Sequence, residues 1–313
     1  MVKTKAFLLN AISALYLLTT PVLTFAAENG TGVYLLGSRD RQMAVFHSRG
    51  MFLRNDFSYQ TGMFYGIYMN GHKFESIKNW VAVNNTNLNY YSDMNLFGGT
   101  YMAGIELRLV SNELTVVPEV FNGITKTNEN KMGLGDLKVT PLAIGWDNRG
   151  FFHYSSSISF YFPTGNYDPK GYANTCKNYL SINPEFAITF FNEYTRTDIS
   201  ADLGLLYNLK NPATNYQTGV ELYSEYAFVQ GIERHWGLGL VGYFYHQLTS
   251  DSGDGVPGGD YKGKCNGLGP IITYDMRQGR TTIGLMAKMY FVYGNENTLY
   301  SNVYTLGFSL RFW

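Results

Sequence analysis

The chain has 313 residues with 24 basic and 24 acidic side chains, so its formal net charge is zero. That balance gives no field to hold nucleic acid or a strongly ionic substrate. Charged residues make up only 15% of the chain against a usual ~25%, while aromatics reach 16%, led by 26 Tyr and 21 Phe. Such a ring content suits strands that meet a lipid–water boundary.

Residues 1–26 read as a secretory signal peptide. Lys3 and Lys5 open it, Ala6–Phe25 is largely apolar, and small residues follow at Ala26 and Ala27. Pro21 and the scattered Asn10, Ser13, Thr19, Thr20 and Thr24 argue against a stable membrane anchor. Downstream, no apolar run approaches the roughly 18 residues of a membrane helix.

Residues 27–50 follow as a separate N-terminal segment. Gly37-Ser38-Arg39-Asp40-Arg41 is polar, whereas Met43, Val45 and Phe46 are apolar. The segment is a candidate plug folding back into a barrel, with a flexible tail as the alternative.

From residue 51 to 313 the pattern is alternation with period two, the signature of strands with one apolar and one polar face. Met51–Thr61 reads as a strand, an edge-pairing segment or part of a plug, and 79–93 as a strand. Ile105, Leu107 and Leu109 alternate with Glu106 and Arg108; after a turn at Ser111-Asn112, Leu114, Val116 and Pro118 alternate with Thr115 and Glu119. The same rhythm marks 152–162, 180–190, 198–208, 217–229, 235–249, 270–276 and 281–292. It closes on Tyr304, Leu306, Phe308, Leu310 and Phe312, with Trp313 one step out of phase.

Short connections (111–112, 147–150, 192–194, 231–233, 277–279) alternate with longer ones (122–133, 164–178, 209–214, 250–264, 294–298). Counted back from a periplasmic C-terminus, the short ones fall in the periplasm and the long ones outside, as in bacterial outer-membrane barrels. The expectation is an all-β transmembrane antiparallel barrel in the outer membrane, with eleven strands from Tyr101 onward and one upstream. That makes twelve, with fourteen as the alternative.

A soluble sandwich would bury its apolar face and expose the polar one. Here the polar face carries Glu106, Arg108, Glu119, Asp136, Lys138, Glu185, Asp198, Asp202, Glu221, Glu225, Lys288 and Arg311. These would be costly in a dry core and are at ease in a hydrated lumen, so they are the lumen-lining candidates. Two readings stay open for them: a mildly cation-favouring pore wall, or charges that pair and fill the interior.

Several segments together resemble the phenol meta-degradation (MetA-pathway) family of outer-membrane transporter-like proteins. They include Gly133-Leu134-Gly135-Asp136-Leu137, Phe162-Pro163-Thr164-Gly165-Asn166-Tyr167-Asp168-Pro169, Asn215-Tyr216-Gln217-Thr218-Gly219 and Leu268-Gly269-Pro270. Such proteins often carry a proline-rich turn before the first strand, where this chain reads His47-Ser48-Arg49-Gly50. The resemblance implies passive passage of small, often hydrophobic or aromatic molecules, and supplies no catalytic residues.

Cys176 and Cys265 fall in loops on the outer side, where a disulfide is chemically allowed; two free thiols are the alternative. The acidic run Asp251-Ser252-Gly253-Asp254 lacks the spacing of a calcium loop. His153 and Ser155 alternate onto the polar face, so a lipid hydrolase is the least favoured reading. Trp146, Tyr161 and Tyr167 read as interfacial anchors. No cofactor or metal is implied. The expected partners are outer-membrane lipids, a small-molecule solute and the barrel-assembly machinery, with no nucleic acid.

Overall fold

Alternation becomes pairing in the computed structural model, which describes residues 23–24, 26–47, 49–69, 72–118, 127–147, 150–254, 256, 262–279 and 281–312. Twelve antiparallel strands form the wall: β1 Gly50–Met69, β2 His72–Leu96, β3 Gly99–Pro118, β4 in two segments (Thr127–Leu134 and Leu137–Asp147), β5 Phe152–Phe162 and β6 Ser181–Asn192. Then come β7 Thr197–Asn208, β8 Glu221–Gly231, β9 Trp236–Gln247, β10 Lys264–Gln278, β11 Thr281–Glu296 and β12 Asn302–Phe312. Each strand pairs with its chain neighbours, and β12 closes the ring on β1 from Asn302↔Thr61 to Phe312↔Met51. Among the described residues the ring of paired strands is closed, as a hydrocarbon environment demands, and the upper segment Thr127–Leu134 pairs on one side alone, with β3.

The outward face carries the apolar set: Phe57, Leu107, Phe186, Leu203, Phe228, Leu240, Leu285 and Leu306 are all exposed. Many inward positions are polar or charged and buried, among them Asp56, Glu106, Arg108, Glu185, Asp202, Glu225 and Lys288, alongside buried Tyr223, Tyr243, Ile271 and Tyr290. Among the described residues no helix is long and apolar enough to cross a membrane. The crossing is made by strands. The connections described at 97–98, 150–151, 193–196, 232–235 and 279 lie on the C-terminal, periplasmic side. The longer ones, described at 163–180, 209–220, 248–254 and 297–301, lie outside.

The number twelve stands, but two parts of its sequence-based derivation do not. Met51–Thr61 is a full wall strand, and the predicted turn at Ser111-Asn112 does not exist. β3 runs straight through it, with Ser111 facing Ala82 and Met132, and Asn112 facing Val81 and Lys131. The misleading signal was a change of apolar parity. Leu107 and Leu109 point outward, while Leu114 and Val116 point inward and are buried. Strands β1–β3 span 20, 25 and 20 residues, roughly twice the 9–11 that cross a membrane. Where they rise above the bilayer the outer face meets water, and the inner face packs Phe74, Ile77, Leu114 and Val116 against Ala173 and Leu299. The apolar side therefore switches from outward to inward along one unbroken strand. Likewise the predicted loop 122–133 is cut short, because β4 begins at Thr127.

The expected signal peptide lies outside the described residues apart from Leu23–Thr24, which pair in parallel with Ile67–Tyr68, and Ala26. Trp313 also lies outside the described residues.

Candidate functional site

Residues 26–47 run through the lumen from the extracellular mouth to the periplasmic rim, and this occupied lumen is the candidate site. Most of the path lacks repetitive secondary structure, so its backbone N–H and C=O groups need partners from the wall. The wall provides them at three levels.

At the mouth, Ala27 N donates to Asp251 Oδ2 at 2.8 Å. The Glu28 carboxylate accepts from Tyr167 Oη (2.7 Å), Thr214 Oγ1 (2.8 Å) and Asn211 Nδ2 (2.8 Å). Lys177 Nζ donates to Glu28 O and Thr31 Oγ1, both at 2.9 Å. Burial lowers the Lys177 ammonium and raises the Asp251 carboxyl; burial and then the Glu28 carboxylate raise the Tyr167 phenol. Three extracellular loops thus converge on two consecutive residues of the segment.

At mid-depth the Tyr34 ring stacks on Tyr223 with centroids 3.7 Å apart. Tyr223 Oη donates to Glu185 at 2.9 Å. Glu225 accepts from the backbone N–H of Gly37 (2.9 Å) and Arg39 (2.8 Å), while the Arg39 guanidinium reaches Glu185 (2.6 Å) and Asp202 (3.4 Å). Arg108 Nη1 donates to Val33 O at 2.6 Å. Gly37 sits at φ +82°, and a Cβ there would stand 2.7 Å from the Tyr290 ring. Only glycine fits this bend without strain.

Toward the periplasm Asp40 is shared by Arg54 Nη2 (2.6 Å) and Lys288 Nζ (3.0 Å), and Arg54 also pairs with Asp56 (2.8 Å). Arg41 grips Asp275 with both Nη atoms. Backbone N–H groups of Gln42 and Ala44 donate to Asp198 (3.0 Å) and Thr189 (3.0 Å). Phe46 meets Tyr91 edge-on at 5.4 Å, and Arg311 Nη1 approaches His47 Nδ1 at 2.7 Å.

Of the lumen-lining candidates, Glu119 lies outside the described residues. Arg108, Glu185, Asp198, Asp202, Glu225, Lys288 and Arg311 contact the N-terminal segment directly, as above. Lys138 Nζ lies 5.8 Å from the Tyr34 ring centroid and 5.4 Å from that of Tyr161. Glu106 pairs with Arg108 at 2.5 Å. Glu221 accepts from Tyr245 (2.6 Å) and Asn208 (2.8 Å); Asp136 accepts from Lys177 N at 3.1 Å. Most of these charges are therefore satisfied by the segment rather than by each other across an open lumen.

Several site residues escaped the sequence reading. Arg39, Asp40 and Arg41 were visible only as a polar patch. Arg54 and Asp56 would have been found by carrying the inward parity of β12 onto Met51–Thr61, since both occupy even, inward positions of β1. Tyr161 is not an interfacial anchor: it is fully buried in the lumen beneath Arg108 and Lys138. Tyr167 is the mouth residue that binds Glu28. Asp251 is held by Ala27 N, Gly219 N and Gln247 Nε2, all protein donors. His153 Nδ1 lies 3.7 Å from Asp147 Oδ1 near the periplasmic rim.

Cys176 and Cys265 are both buried free thiols, so the disulfide alternative is corrected. Cys265 is on the inward face of β10 among Tyr243, Tyr245 and Tyr300, whereas Cys176 lies in the 163–180 loop beside Gly165. Burial pushes the Cys176 thiol up to about 11. A thiol-reactive dye at pH 8 should label neither residue in the folded barrel and both after denaturation, and a reducing agent should leave gel mobility unchanged. Labelling of the folded protein at both positions would contradict this burial.

No curated protein sequence matches the chain. Among solved structures, an outer membrane channel from Pseudomonas putida shares the fold, with TM-score 0.66 and 12% identity over 88% of this chain and 100% of that one. The transport unit of the autotransporter AIDA-I from Escherichia coli aligns with TM-score 0.45 and 8% identity over 91% of this chain and 95% of that one. The closed barrel with its outward apolar belt is an outer-membrane β-barrel. The family described as "Putative MetA-pathway of phenol degradation" matches residues 47–312, and the chain belongs to that family.

Proposed function

We propose that the protein is an outer-membrane channel for small, hydrophobic or aromatic molecules, gated by its own N-terminal segment. The observation that carries this reading is the way the lumen is filled. Twelve strands enclose more space than side chains alone fill in an eight-stranded barrel. Here that space is taken by a separate stretch of chain, tied to the wall by hydrogen bonds and ion pairs. Such ties exchange with water, so the segment can leave while the wall stays closed. The family membership supports the solute class, and the channel with the same fold supports passage as the activity.

Liposome swelling with aromatic, fatty and sugar solutes tests the reading. Aromatic solutes should enter faster than into empty liposomes; failure of every solute to do so would sink it. The hydrolase alternative requires His153, so unchanged lipid turnover in His153→Ala ends that alternative.

We further propose that cleavage after Ala26 leaves Ala27 as the mature N-terminus. Its amide nitrogen already lies 2.8 Å from Asp251 Oδ2, so cleavage turns that hydrogen bond into an ammonium–carboxylate pair. Mass spectrometry of the exported protein should find Ala27 first. A mature chain beginning well before or after it would remove this clamp.

A further inference from the structure

The N-terminal segment fills the lumen unevenly. It packs closely against β5–β12, where Tyr161, Tyr223, Tyr243 and Tyr290 surround it. On the other side, between residues 29–36 and the inward face of β1–β3, lies a cavity of about 140 Å³. A cavity of about 150 Å³ accepts a six-carbon ring, so this space has room for one molecule of that size.

Three buried oxygens on its wall have no hydrogen-bond partner: Asn79 Oδ1, Asn112 Oδ1 and Asp136 Oδ1. Asn79 is 5% exposed and Asp136 4%. Asn112 Nδ2 donates to Asn174 O at 3.0 Å, which turns Oδ1 away from that contact. Asp136 uses its other oxygen for Lys177 N. The two cations at the cavity edge are already engaged, Arg108 with Glu106 and Val33 O, Lys177 with Glu28 O and Thr31. The cavity therefore presents three unpaired acceptors, while its two cations are already engaged. Such buried oxygens are normally paired with protein, water or ligand.

Apolar surface from Val81, Val83, Val110 and Leu114 separates these acceptors. A cationic ligand would meet Arg108 and Lys177, and an anionic one would meet the unpaired oxygens, so neither charge suits the site.

We propose that this cavity binds a small uncharged molecule with a ring-sized apolar body and two or more hydroxyl or N–H donors. The site deepens the channel reading and relies on it only for the route by which the molecule arrives. Ligand and segment share the lumen, with the β1–β3 wall and Asp136 between the two segments of β4 as the recognition surface.

The test uses the full mature barrel in detergent, with trans-1,2-cyclohexanediol and cyclohexanone as probes followed by saturation-transfer NMR. The two have similar bodies, but only the diol carries donors. The diol should bind, the ketone about ten-fold more weakly, and Asn79→Leu should weaken the diol by a similar factor while the ketone is unaffected. Val81→Phe, which fills the space without removing a polar group, should abolish binding of both, with folding checked by heat-modifiable gel mobility. Equal binding of the two probes, no binding to the folded barrel, or unchanged diol affinity in both variants would overturn the proposal, leaving ordered water as the partner of the three oxygens. Diol binding without solute flux would retire the channel reading and keep the site. Flux without diol binding would do the reverse.

Discussion

Removal of residues 28–46 from the exported chain should turn a nearly silent barrel into an open, cation-favouring channel. The wall does not need the segment to stay closed, because its strand hydrogen bonds run from neighbour to neighbour and from β12 back to β1. The segment does supply the partners of the wall charges. Without it, Glu185, Asp202 and Glu225 lose Arg39, Asp198 loses Gln42 N, and Asp275 loses Arg41. In a water-filled lumen these carboxylates are hydrated rather than stranded, and together with Asp56, Glu106 and Glu221 they outnumber the inward bases Arg54, Arg108, Lys138, Lys288 and Arg311. Charge on a pore wall biases ion entry. Planar-bilayer recording should show a several-fold rise in conductance, with a reversal potential in a salt gradient that favours cations. A folded deletion variant with unchanged conductance would mean that something other than the segment closes the lumen.

Asp40→Ala should be the most damaging single substitution in the segment. Asp40 is 3% exposed, and it joins Arg54 to Lys288, whose side chain is fully buried. Truncating it leaves two cations facing each other with only Asp56 to answer Arg54. Stranding a buried partner in this way costs about 3–5 kcal/mol. The expected result is a clear fall in the temperature at which the folded gel form is lost, along with partial release of the segment and raised solute flux. Adding Lys288→Met should recover much of the loss, because it removes the stranded charge and leaves an apolar stem of similar length. If Asp40→Ala is as stable as the parent, the three-way ion pair does not hold the segment. If the second substitution makes matters worse, the cost is not electrostatic.

The barrel was legible in the sequence because alternation is local. Side chains two apart share a face whatever the rest of the chain does. From that rule came the outward Leu203, Leu205 and Leu306, the inward Glu185, Asp202 and Glu225, and the sidedness of the connections. The rule failed where the surroundings of one strand change along its length. At Leu114 and Val116 the strand has left the bilayer, so the apolar face turns toward the 163–180 loop, and the reversal mimicked a turn.

Sequence alone determined that the chain is an outer-membrane barrel with a polar lumen, since each strand states its two faces in its own residues. Only the tertiary structure decided what fills that lumen. The contacts of Arg39 with Glu185, of Asp40 with Lys288 and of Gly37 with Glu225 join residues far apart in the chain, and no local pattern encodes them. The same holds for the cavity beside β1–β3 and the unpaired thiols. Pairing across a closed ring depends on which wall the segment leans against, and that choice is settled only when all twelve strands are in place.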